Sequence, residues 1–169
     1  IYNHLELRSK VQGARDKGQH WRGRSDTETL LAAIEAWGAE EALKKAVGMF
    51  ALALWDRETR TLVLARDRMG EKPLYYGWQG GAFLFGSELK ALRAHPAFAG
   101  EIDRDALALY LRHSYVPSPF CIYRGIYKLP PGSYLRLTES DVATRTTPRP
   151  QAYWSVRQAA QEGQSRPFA

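Results

Sequence analysis

The stretch from residue 47 to residue 77, VGMFALALWDRETRTLVLARDRMGEKPLYYG, constrains the fold more than any other part of the chain. Between 47 and 55 both alternating sets of side chains are apolar, Val47, Met49, Ala51, Ala53 and Trp55 on one face and Phe50, Leu52 and Leu54 on the other. A strand of that kind is covered on both sides. Residues 56 to 60 are polar and have the length of a hairpin turn, and residues 61 to 65 resume an apolar run. The pattern predicts an antiparallel hairpin in a sheet with two buried faces.

Before this core, residues 3 to 11 fit a short helix with Asn3 as its cap and Leu5, Leu7 and Val11 as apolar positions; residues 19 to 22 fit an edge strand carrying Trp21. Ser25 with Glu28 is a capping-box signature. Leu30, Leu31, Ile34 and Trp37 keep helical spacing beyond it, Gly38 supplies the stop, and residues 39 to 46 form a second helical piece. After the hairpin, residues 75 to 78 and 82 to 86 read as strands joined across Gly80-Gly81, and Ser87 caps a short helix over 88 to 93. Asp103 starts an amphipathic helix striped by Ala106, Leu107, Tyr110 and Leu111. Residues 115 to 127 read as irregular; Pro130-Pro131-Gly132 turns into a strand over 133 to 138, with a small hairpin ending near Arg145. From Thr146 onward Pro, Arg, Gln and Ser dominate, and a linker is expected.

With 169 residues, 44% of them hydrophobic and 12% aromatic, the chain can bury the core of one domain. Its net charge of +6 is spread over scattered Lys and Arg, with neither a basic stripe nor a recognised module, so no nucleic-acid partner is expected. No apolar run approaches a membrane span and no signal peptide precedes the fold, so no membrane partner is expected either. A single cysteine, Cys121, excludes an internal disulfide and suits a cytoplasmic location. The chain opens at Ile1 inside a structured-looking segment and closes in a polar tail, which reads as a fragment.

Chemistry has few candidate carriers. Asp26, a fixed carboxylate at the head of a packed helix, can anchor the ammonium group of a zwitterion; an acid in the first turn is also what the helix dipole favours, and the spacing by itself favours capping alone for Ser25-Asp26. Arg66, Asp67 and Lys72 form either a substrate clamp or an internal ion network, and the fork geometry of arginine favours the network. Ser87 and Glu88 stand at a strand end that can face a pocket. Cys121 lies among Phe120, Ile122 and Tyr123 with no histidine nearby, the setting of a packed thiol. His4, His20, His95 and His113 lack metal-ligand spacing and no glycine-rich phosphate loop occurs, so neither metal nor cofactor is expected in this chain.

Read together, IYNHLELR, SDTETLLAAIEAWG, VGMFALALWD, LARDRMGEKPLYYG, FGSELKAL and VPSPFCIYRGIYKLPPGSYL make the chain resemble the glutamine amidotransferase domain of glutamine-hydrolysing asparagine synthetases, within the class II amidotransferases. The resemblance covers nearly everything to Leu135, and YWSVRQAA at 153 to 160 looks like the segment leading to a synthetase domain. It implies an α+β fold, the N-terminal nucleophile hydrolase αββα sandwich of two antiparallel sheets between helical layers, incomplete at the N-terminus. Residues 1–145 would be the partial domain and residues 146–169 the linker toward an absent ATP-dependent synthetase domain.

In that family an N-terminal cysteine attacks the side-chain amide of glutamine with its own α-amino group as base, giving a thioester and ammonia. An Asn-Gly pair just before the Ile-Tyr-Asn segment stabilises the oxyanion. Asp26 matches the aspartate that binds the α-amino group of glutamine. The cysteine, the Asn-Gly pair and the arginine-bearing segment for the glutamine carboxylate would all lie upstream of Ile1, so the resemblance leaves no catalytic residue here. The piece alone is then expected to be inactive, with Cys121 at a position the family does not use. ATP and Mg would belong to the absent domain, and the implied partners are glutamine and that domain, with a homodimer left open. The parent would make asparagine from aspartate. Two further readings are an amidotransferase with a different acceptor and a non-catalytic binding module that kept the fold.

Overall fold

The computed structural model describes residues 1–12 and 21–165. In chain order the elements are α1 (His4–Gln12), α2 (Asp26–Trp37), α3 (Ala39–Lys45), β1 (Ala51–Asp56), β2 (Thr61–Arg66), β3 (Tyr75–Gln79), β4 (Ala82–Gly86), α4 (Leu89–Arg93), α5 (Arg104–His113), β5 (Ile126–Lys128), β6 (Ser133–Leu137), α6 (Glu139–Thr144), β7 (Gln151–Ala152) and α7 (Val156–Ser165). They fall into two compact units, one of residues 1–50 with 156–169 and one of residues 51–155.

In the first unit, Ser25 starts α2 by accepting the Glu28 amide on its hydroxyl at 3.2 Å. Gly38 stops the helix at φ 79°, a left-handed backbone that a side chain would resist, and donates its amide to Ile34. The buried face of α2 is Thr29, Ala32 and Ala33. Small residues there let Val11 of α1 and Ala42 of α3 pack closely, with Trp21, Ile34 and Trp37 around them. Leu31 and Leu5, expected on apolar stripes, are both exposed: α2 turns its small residues Thr29, Ala32 and Ala33 inward, and α1 buries Leu7 and Val11 instead. Asn3 does not act through its side chain as a simple cap: its amide donates to the Lys45 carbonyl and its oxygen accepts the Val47 amide, tying α1 to the end of α3. Of the expected edge strand over 19 to 22, residues 19 and 20 lie outside the described residues, and Trp21 and Arg22 are not in a strand. Helix α7 has no buried residue.

The second unit holds two antiparallel sheets, ordered β1-β2-β6-β7 and β4-β3-β5. The predicted hairpin forms with Asp56 opposite Thr61, and the Asp56 carboxylate accepts the amides of Glu58 and Thr59 to shape its turn. Its first strand is shorter than expected, starting at Ala51, since Val47 is drawn away by the Tyr2 amide and Gly48 bends the chain at φ 145° against Ile1. That strand is an edge, with Trp55 53% exposed; β2, where Val63, Leu64 and Ala65 are all buried, and β6, where Ser133, Tyr134 and Leu135 are, are covered on both faces. Leu64 and Leu135 of one sheet share a core with Leu74, Tyr76 and Leu129, so the two sheets pack face to face. The strands at 75 and 82 pair across Gly80-Gly81 as read from the sequence.

Several short elements depart from the expectation. β5 emerges from the stretch read as irregular and pairs with β3, because Gly77 at φ 154° lets the Gly125 backbone come within reach. Residues after β6 form α6 instead of a hairpin, started by a capping box between Thr138 and Asp141. Residues 151–154, expected within a linker, complete the sheet through β7, and Tyr153 is buried. Glu88, not Ser87, is the N-cap residue of α4, and it makes no side-chain capping bond. The α5 stripe buries only Ala106; Leu107, Tyr110 and Leu111 stay exposed, Leu111 at 76%. Among the described residues no helix is long and apolar enough to cross a membrane.

Candidate functional site

The head of α2 carries the candidate binding carboxylate. Asp26 is its first residue, where unpaired amides and the helix dipole favour an anion. Half of its side chain is exposed (49%), and its Oδ2 accepts a hydrogen bond from the amino group of Ile1. That bond is the main reason its pKa lies below the ordinary aspartate range; burial acts against it, and the charge of the amino group and nearby amides act with it. A rigid carboxylate at a helix head, half exposed to solvent, can bind the ammonium end of an amino acid.

Support for Asp26 comes from residues that the sequence reading did not single out. Arg8 of α1 donates to the Gly23 carbonyl and sits 3.5 Å from the Glu28 carboxylate, with its guanidinium 4.0 Å above the Trp21 ring. Glu28 accepts the amides of Arg22 at 2.7 Å and Gly23 at 2.9 Å. Together they fix residues 21–25, the segment that delivers Ser25 and Asp26 to the helix start. In the sequence Arg8 looks like an ordinary surface residue of a short helix, and nothing local marks it.

Arg66, Asp67 and Lys72 are brought together in the 51–155 unit, around the turn between β2 and β3. Asp67 is fully buried and its two oxygens accept the amides of Glu71 and Lys72, each at 2.9 Å. The Arg66 guanidinium donates to three carbonyls, Lys72 at 2.7 Å, Leu129 at 2.8 Å and Gly70. Lys72 takes part through its backbone, and its side chain is exposed. Tyr153 closes the group by donating its hydroxyl to the Arg66 carbonyl at 2.8 Å. These bonds hold the loop to the strands around it. Ser87 is exposed, and Glu88 pairs with Lys90 on the surface at 2.7 Å. Cys121 is 3% exposed, and burial pushes its thiol above the ordinary cysteine pKa. Among the described residues no cluster of His, Cys, Asp and Glu could hold a metal ion.

Two antiparallel sheets sharing a core, accompanied by helices, define the α+β fold of the N-terminal nucleophile hydrolases. Solved structures agree. Glutamine phosphoribosylpyrophosphate amidotransferase from Bacillus subtilis, complexed with ADP and GMP, superposes with a TM-score of 0.59 at 18% identity, over 91% of this chain and 27% of that one. The allosteric regulatory enzyme of purine biosynthesis gives 0.61 at 19% identity, over 90% and 26%. A profile of the glutamine amidotransferase domain matches residues 1–154. The chain therefore belongs to the glutamine amidotransferase domain family. Its relatives include asparagine synthetase [glutamine-hydrolyzing] 3 of Bacillus subtilis (strain 168), 37% identical over 141 residues, and asparagine synthetase [glutamine-hydrolyzing] 1 of the same organism, 37% identical over 147 residues. These alignments cover 82% and 86% of this chain but 22% of each relative, so the chain spans about a fifth of their length.

Proposed function

We propose that the chain is part of the glutaminase domain of a glutamine-hydrolysing asparagine synthetase, with Asp26 binding the α-ammonium group of glutamine. The observation that carries this reading is the seat of Asp26, first residue of α2 with its carboxylate half exposed, at the helix end that favours an anion. The 37% identity to asparagine synthetases supports the parent activity, in which ammonia from glutamine passes to ATP-activated aspartate. Glutamine and a synthetase domain of the parent are the partners of this reading, and ATP with Mg would act in that domain. Ser25 and Glu28 act by holding the helix start, and Arg66, Asp67 and Lys72 by fixing a loop, without touching glutamine.

Cys121 does not serve as the nucleophile in this reading. A buried thiol whose pKa burial raises carries little thiolate at neutral pH, and thiolate is the attacking form. The 169-residue chain by itself is accordingly expected to hydrolyse no glutamine above background. Hydrolysis that disappears in Cys121→Ala would overturn this assignment.

The test of the main proposal is Asp26→Asn in the full-length protein. Removing the charged partner of an ammonium group weakens glutamine use roughly 10- to 100-fold, mainly through KM, while synthesis from free ammonia stays. Equal loss of both activities assigns Asp26 a folding role instead.

A further inference from the structure

The 51–155 unit contains a cavity of about 550 Å³ that the proposed glutaminase role does not use. Its size falls in the range of roughly 300–1,000 Å³ that encloses small ligands. Tyr75 of β3, Leu107 and Tyr110 of α5, Tyr115 and Cys121 of the following loop and Lys128 of β5 line it. Aromatic and aliphatic surface dominates, and Leu107, Tyr110 and Tyr115 remain exposed around it. Lys128 is the charged side chain among the described lining residues. Its ammonium donates to the Val116 carbonyl, which leaves further N–H donors of the group available. No carboxylate among the described residues pairs with it.

A half-buried cation beside aromatic walls without a counter-charge is unfavourable in an empty cavity and becomes favourable when an anion enters with it. One positive charge matches one negative charge, so a monocarboxylate suits it better than a doubly charged phosphate. Three tyrosine rings favour a flat aromatic body, which they can meet by edge or offset stacking. We propose that this cavity is a binding site for an aromatic monocarboxylate, whose carboxylate pairs with Lys128 while its ring lies among Tyr75, Tyr110 and Tyr115. Burial lowers the Lys128 pKa; Cys121 offsets part of that effect and Arg66 adds to it, and a bound carboxylate would restore the ordinary value.

The test titrates the chain with 2-naphthoate and with its neutral isostere 2-naphthamide by calorimetry. Wild type should bind 2-naphthoate at least tenfold more tightly than 2-naphthamide. Lys128→Gln, which keeps an N–H donor for the Val116 carbonyl, should reduce 2-naphthoate to the level of the amide, and Leu107→Trp, which fills the cavity, should weaken both. Lys128→Met should behave as Lys128→Gln does; if it fails to fold by circular dichroism, Lys128→Gln supplies the reading. Equal affinity for the two probes, wild-type 2-naphthoate affinity in Lys128→Gln, unchanged binding in Leu107→Trp, or no binding of either probe overturns the proposal. None of these outcomes depends on glutamine hydrolysis, so the site stands or falls apart from the role of Asp26.

Discussion

The amino group of Ile1 donates to the carboxylate of Asp26, 25 positions further along the chain, and so joins the first residue to the head of α2. The contact gives Asp26 its depressed pKa, and the sign of the resulting pH dependence follows. A carboxylate whose folded pKa lies below its unfolded value of about 3.9 contributes stability above that value and loses it as pH falls through the folded pKa. With the side chain half exposed, solvent screening keeps the contribution small. Carbon-detected NMR of the Asp26 carboxyl in a polypeptide that starts at Ile1 should show a midpoint below that of free aspartate, and a residue added ahead of Ile1, which turns the ammonium into a neutral amide, should raise that midpoint; a midpoint at or above the free value in the first polypeptide would contradict the contact.

Asp67 gives a stability prediction. Its carboxylate is fully buried and accepts the amides of Glu71 and Lys72. Asp67→Ala leaves both donors without these partners and should lower the unfolding free energy by about 2–4 kcal/mol. Tyr153→Phe, which removes one hydroxyl bond to the Arg66 carbonyl, should lower it by about 1 kcal/mol. Urea unfolding of the two variants measures both, and an Asp67→Ala loss under 1 kcal/mol would remove Asp67 from the centre of this network.

Gly77 tests the close pairing of β3 with β5. A Cβ built there would lie 1.9 Å from the Gly125 carbonyl oxygen, a backbone atom that cannot swing aside, at a φ of 154°. Gly77→Ala should cost at least about 3 kcal/mol or prevent folding altogether. A soluble, wild-type-like melting curve would show that the two strands separate more easily than this geometry allows.

Cys121 should be slow to alkylate. Its thiol is buried and burial raises its pKa, so the reactive thiolate is scarce at neutral pH. Mass spectrometry after iodoacetamide should find the native chain largely unmodified and the urea-unfolded chain fully modified at one site. Equal rates in the two states would mean that the thiol reaches solvent.

The parts of this fold that could be read from sequence are those set by local chemistry. The turn at Asp56, the stop at Gly38, the Asp103 cap of α5 and the Gly80-Gly81 turn each follow from side chains or glycines acting on their own neighbourhood. What escaped depends on partners far along the chain. β5 and β7 have three and two residues, too few to show a period, and exist because Gly77 and Tyr134 offer them an edge. Leu31 and Leu111 have correct helical spacing, yet the faces chosen for burial are those of Ala33 and Ala106, decided by what packs against them. At the candidate site Asp26 was legible from its motif and cap position. Arg8 was not, since its role needs Gly23, Glu28 and Trp21 placed around it.

The Gly132 carbonyl receives the amides of both Tyr153 and Trp154, while the Gly132 amide reaches the Asp67 carbonyl. A recombinant boundary set upstream of residue 151 would strip the outer strand from Tyr134 and unfasten the tyrosine that grips Arg66. Trimming from that side therefore has a natural limit just past Trp154, and shortening beyond it trades a finished sheet margin for a sticky, aggregation-prone one.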